Sequence, residues 1–134
     1  MDEHAKSART DDSEALARRC VSICEDRKAE DVQLFDVREC SILADYYIIC
    51  TGTSAPHLSA ICNRLRQELA AEGMVPRHHE GDPASHWVIM DYGDVLIHVL
   101  DADRRRFYRI EELWQSGHLV YQSQAAESQF SSPA

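Results

Sequence analysis

The chain reads as an α/β domain of the α+β kind, a mixed five-stranded sheet with flanking helices. Three observations predict it. Helix-period and strand-period segments follow one another as helix, strand, strand, helix, three strands, helix. The run from Trp87 to Leu100 is a hairpin apolar on both faces, so it must be covered on both sides by its own chain or by a partner. The length of 134 residues and the apolar fraction of 44% suffice for one domain with a real core.

Residues 1–12 are polar and without periodicity and are expected to be a flexible start, with the domain spanning 13–121. Asp12 or Ser13 caps a first helix whose stripe is Leu16, Cys20, Ile23 and Cys24, ending near Lys28. Asp31 to Val37 alternates as a strand. A second strand, Asp45 to Thr51, is apolar on both sides, as an inner strand should be. Gly52-Thr53-Ser54 breaks it. Ser54 caps a second helix with Pro56 in its first turn, and Leu58, Ile61, Cys62, Leu65 and Leu69 form its stripe up to Gly73.

A short third strand is expected near Val75 to His79, and Gly81-Asp82-Pro83 turns the chain into the hairpin. Trp87 and Ile89 point to one face of the hairpin, Val88 and Met90 to the other. Val95, Ile97 and Val99 oppose Leu96, His98 and Leu100 in the same way, and Gly93 supplies the turn's positive φ. Asp103 or a neighbour caps a final helix in which Phe107, Ile110, Leu113 and Trp114 share a core face. Residues 122–134, rich in Ser, Gln and Ala, are expected to be a disordered tail.

The net charge of −9 argues against phosphate-backbone binding and favours a basic protein surface as partner. The five cysteines, Cys20, Cys24, Cys40, Cys50 and Cys62, sit in apolar patterns without zinc spacing and read as buried thiols of a reducing compartment. With no signal-peptide pattern and no bilayer-length apolar run, the protein reads as cytosolic, with no membrane association.

No chemistry-bearing constellation stands out. Asp91 and Asp94 flank a turn, and turn chemistry explains them without a metal. Gly52-Thr53-Ser54 lacks the lysine and spaced glycines of a nucleotide loop. His78, His79 and His86 lack zinc-ligand geometry, and His98 reads as a hydrogen-bonded strand residue. Neither catalytic residues nor a cofactor is expected. Arg104-Arg105-Arg106 is the sole basic run and flanks Phe107-Tyr108. Trp87, Met90, Tyr92 and Leu96 suit a core and an interface equally.

Asp36-Val37, Ala44-Asp45-Tyr46-Tyr47, Thr51-Gly52-Thr53-Ser54, Trp87-Val88, Asp91-Tyr92-Gly93-Asp94-Val95, His98, Arg105, Phe107-Tyr108 and Glu111 to Trp114 together resemble the ribosomal silencing factor (RsfS, Iojap) family, in order, from about Ala15 to Trp114. Pro56 and Leu100 stand where the family often has Arg and Phe, and Ala102 replaces a frequent Pro. The resemblance implies a sheet similar to the nucleotidyltransferase fold. It also implies a non-enzymatic factor that binds the L-fourteen protein of the large ribosomal subunit. That contact would block joining of the small subunit and repress translation, with further associations with subunit biogenesis and with homodimers. The expected contact residues are Trp87, Met90, Tyr92 and Leu96 as apolar centre and Asp91, Asp94 and Glu111 as partners for Lys or Arg, with His98, Arg105 and Tyr108 beside them. A nucleotidyl-transfer enzyme working at Gly52-Thr53-Ser54 is the alternative.

Overall fold

The computed structural model describes residues 2–110, 112 and 116–123, with side chains from residue 12 onward. In chain order it contains α1 (Asp2–Asp26), β1 (Glu30–Asp36), β2 (Tyr46–Thr51), α2 (Ala55–Ala70), β3 (His78–Asp82), β4 (Trp87–Asp91), β5 (Val95–Leu100), α3 (Ala102–Tyr108) and β6 (His118–Gln122). The strands form one sheet in the order β3-β4-β5-β2-β1-β6. β2 and β5 pair in parallel, from Tyr46 opposite Val95 to Thr51 opposite Leu100, and every other pair is antiparallel. A parallel pair requires a crossover, and the chain makes it through α2 and the β3–β4 hairpin.

Strand alternation sorts the side chains by face. Val32, Leu34, Tyr46, Ile48, Cys50, Val88, Met90, Val95, Ile97 and Val99 lie on one face. They form a buried cluster with Ala17, Cys20 and Cys24 of α1 and Leu58, Ile61, Cys62, Leu65 and Leu69 of α2. The α2 residues are the stripe predicted from their spacing, and Ser54 caps the helix by accepting from the His57 N–H. The opposite face carries Phe35, Val37, Tyr47, Ile49 and Leu100, joined by Ala44 and Ile110, while Trp87 and Leu96 stay half-buried. α3 reaches this second face, through Arg105 and Tyr108.

Several expectations are corrected. The sheet has six described strands rather than five, because β6 adds to the outer edge of β1, where Val32 and Ser123 exchange hydrogen bonds. Folded structure thus runs past residue 121, and Gln122 and Ser123 belong to the sheet and not to a tail. α1 begins at Asp2, before the Asp12 and Ser13 caps, since residues 2–12 hold no Gly or Pro to stop it. β3 lies later than Val75–His79, set by pairing of His78 with Asp91 and of Asp82 with Trp87. Pro76 has no N–H for a ladder, and Val75 is exposed. The turn before the hairpin is Pro83–Ser85, with Asp82 as its cap. Asp101 rather than Asp103 caps α3, and Phe107 is 77% exposed instead of core. Cys40 is exposed, while the other four cysteines are buried and free. Leu113, Trp114, the end of the expected final helix and the expected tail beyond Ser123 lie outside the described residues.

Gly81 sits inside β3 at φ +79, where an added Cβ would run into the Trp87 carbonyl oxygen. Gly81→Ala is expected to loosen the β3–β4 pairing and cost about 1–3 kcal/mol, read as a lower melting temperature. Gly73→Ala, at φ +84 but facing open space, is the milder control.

Candidate functional site

The open part of the second sheet face is the candidate site. Register places Trp87 opposite Leu100, Ile89 opposite His98 and Asp91 opposite Leu96, while Leu96 lies beside Tyr47 of β2. Trp87, Ile89 and Leu96 are half-buried, so each keeps a surface toward solvent. Trp87 is held from two sides. Its indole N–H donates to His98 Nδ1 at 3.1 Å, and its ring lies 5.1 Å from that of Tyr108. Tyr108 in turn meets Phe107 edge to face at 4.8 Å. The aromatic row therefore runs from inside the sheet to the exposed end of α3.

Accepting at Nδ1 leaves the His98 proton on Nε2, the neutral form. Burial supports this and pushes the His98 pKa down to about 4. The unfolded chain binds that proton near pH 6.5, so stability is full above pH 6.5 and falls as the pH drops toward 4. The gap corresponds to on the order of 3 kcal/mol. His98→Asn is expected to flatten this acid limb in urea melts recorded between pH 4 and 7; an unchanged slope would assign the acid sensitivity elsewhere.

Carboxylates rim the face. β3 is exposed along its length and carries Glu80 and Asp82. Asp91 accepts from the Gly93 N–H at 2.7 Å, which makes it a turn-forming residue with its carboxylate at the surface. Asp94 stands at the same turn, and its backbone carbonyl accepts from the N–H groups of Asp45 and Tyr46. Arg104, the basic residue beside Tyr108, is drawn to Asp101 at 3.1 Å.

The structure divides the expected contact residues. Trp87, Leu96, Asp91, Asp94 and Tyr108 come together on or beside the open face. Met90 is fully buried against the helices, since alternation sends it the opposite way from Trp87 and Ile89. Tyr92 likewise packs on the helix-side cluster, and burial raises its phenol to about 12. His98 lies beneath Trp87, 8% exposed. Arg105 is buried and donates to Asp31 O, Thr51 Oγ1 and Gln33 Oε1, so it fastens α3 to β1 and β2. Glu111 lies outside the described residues. Sequence reasoning passed over Ile89, Glu80 and the outward turn of Phe107. The alternation that pairs Ile89 with Trp87 was the available signal for the first.

Two other features are internally engaged. At Gly52-Thr53-Ser54, the Thr53 N–H donates to His57 Nδ1, and His57 Nε2 lies 2.8 Å from Arg27 O, so the loop works as a helix cap. A cleft of about 710 Å³ beside α3 is lined by Arg105, Arg106 and Arg109. Arg106 pairs with Asp103 and Arg109 with Glu112. No helix among the described residues is long and apolar enough to cross a membrane.

Fold and site together define a mixed α/β domain with a helix-packed back and a front of aromatic and aliphatic side chains rimmed by carboxylates. The chain belongs to the ribosomal silencing factor family: the family model described as "Ribosomal silencing factor during starvation" matches residues 10–133. It is 32% identical over 106 residues to the ribosomal silencing factor RsfS of Bacillus subtilis, covering 79% of this chain and 90% of that protein. Against its Haemophilus influenzae counterpart the identity is 34% over 100 residues, covering 75% and 98%. The chloroplastic protein Iojap of Arabidopsis thaliana is 32% identical over 107 residues, covering 78% of this chain and 44% of that protein. A crystal structure from Chromobacterium violaceum superposes with a TM-score of 0.73 at 29% identity, covering 76% and 85%. One from Bacillus halodurans gives 0.68 at 33% identity, covering 75% and 94%.

Proposed function

We propose that this chain binds the L-fourteen protein of the large ribosomal subunit through the open sheet face around Trp87, Ile89 and Leu96. It thereby blocks association with the small subunit and represses translation. The observation that carries this reading is the half-covered apolar face, with Trp87 fixed in place and carboxylates around it. An acidic rim suits a basic ribosomal protein, steering encounter and setting register. A contact of about 1,600 Å² in total is the expected scale. The factor acts by occlusion in the cytoplasm and not by catalysis, and the capping bonds that occupy Thr53 and Ser54 support this. A second copy of the chain covers the same face when no ribosome is present, and a role in subunit biogenesis belongs to the same reading.

The experiment is co-sedimentation of the full chain with purified large subunits, paired with light scattering of subunit joining. The chain is expected to travel with large subunits and to suppress joining. Trp87→Ala should weaken binding at least about tenfold. A wild-type chain that stays at the top of the gradient at micromolar concentration overturns the reading.

A further inference from the structure

We propose that the groove between β4 and α3 is an anchoring pocket for one guanidinium side chain of the docking partner, laid against the groove-facing surfaces of Trp87 and Tyr108 and paired with Glu80. The inference rests on reading this face as a protein-docking surface, and it names the chemistry that the surface selects. The groove measures about 450 Å³. Trp87, Ile89, Tyr108, Arg104 and Glu80 line it, and Glu80 is paired with Ile89 across the β3–β4 ladder.

Each part narrows the guest. The single indole N–H of Trp87 points inward to His98, so toward the groove the ring offers no donor, only its π surface. The rings of Trp87 and Tyr108 are inclined at 44° with centroids 5.1 Å apart, so they pack on each other and offer a planar group their outer, groove-facing surfaces. Tyr108 is held in turn by the perpendicular Phe107 ring. The charge of Arg104 is answered by Asp101 at 3.1 Å. Glu80 Oε2 lies 3.8 Å from His78 Nε2, and the Glu80 side chain is 62% exposed. A partner side chain therefore meets two aromatic surfaces and one carboxylate with little competition. An aliphatic guest leaves the Glu80 carboxylate unanswered. A lysine ammonium keeps its tight hydration, whereas guanidinium is planar, weakly hydrated and stacks on aromatic faces.

The chain has two tryptophans, so Trp114→Phe leaves the Trp87 indole as one resolved N–H signal in a nitrogen-15 NMR spectrum. The full chain carrying that change is titrated with N-acetyl-arginine methylamide and, separately, N-acetyl-norleucine methylamide. The arginine amide is expected to half-saturate the Trp87 shift at a concentration about two- to fivefold lower, the span of an exposed cation–π contact. Glu80→Gln should reduce that preference to what the aromatic surfaces alone give, while leaving the melting temperature unchanged. Equal responses to the two amides, or an arginine preference that Glu80→Gln leaves undiminished, overturns the pocket. An arginine preference in a chain that fails to co-sediment with large subunits upholds the pocket and overturns the ribosomal reading alone.

Discussion

Arg105→Ala is expected to lower stability by about 3–5 kcal/mol, because it strands several covered acceptors at about 1–3 kcal/mol each. The side chain is 5% exposed. One guanidinium nitrogen donates to Asp31 O at 2.7 Å and Thr51 Oγ1 at 3.0 Å, the other to Gln33 Oε1 at 2.7 Å. Alanine removes these donors at once and leaves the acceptors beneath α3. A domain of this size holds roughly 5–15 kcal/mol in total. The melting temperature should therefore fall by on the order of 10–20 °C. Arg105→Lys should recover little of this, because an ammonium cannot reproduce the fork that reaches β1 and β2 together. Thermal unfolding followed by circular dichroism measures both. A melting temperature within a degree or two of wild type would show that Arg105 does not fasten α3 to the sheet.

The second large effect separates two adjacent residues. Ile89→Glu is expected to weaken binding to large subunits about a hundredfold while changing the melting temperature little. Ile89 is half-buried on the open face, so glutamate there stays wet in the free chain and is stranded in the complex. Met90→Ala should do the reverse. Met90 is fully buried against the helices, and its truncation costs about 2–5 kcal/mol, yet the molecules that remain folded should bind normally. Co-sedimentation normalised to folded protein, with parallel melts, distinguishes the two. Equal loss of binding in both variants would show that the face was assigned to the wrong side of the sheet.

That contrast also marks how far the sequence was legible. The stripe Leu58, Ile61, Cys62, Leu65 and Leu69 and the strand Tyr46 to Thr51 were readable because their periods are unambiguous. The doubly apolar hairpin was readable as a fact, but not which side the helices take. Helix placement depends on packing across the whole sheet, and so Met90 and Tyr92 were grouped with Trp87 although alternation sends Met90 away from it. Arg105 looked like part of a solvated basic run, because its acceptors come from Asp31, Gln33 and Thr51, far away in the chain. β6 was missed because His118 to Gln122 is short and only partly alternating; its pairing with β1 makes it a strand. Phe107 shares a helical period with Ile110, but α3 stops at Tyr108, and Arg109 at φ 49 redirects the chain before the stripe can form.

The pairing of β6 with β1 also bears on how the chain reaches its folded state. Val32 donates to Ser123 Oγ across 91 positions of sequence, and Gln33 joins Gln122 across 89. Contacts of such span must close a long loop before they return any stabilisation, which slows folding. During synthesis β1 is among the first strands made, yet its outer edge waits for the last described one. Until then the nascent chain carries an open ladder, and the translation apparatus that this family silences must first complete the silencer's own sheet.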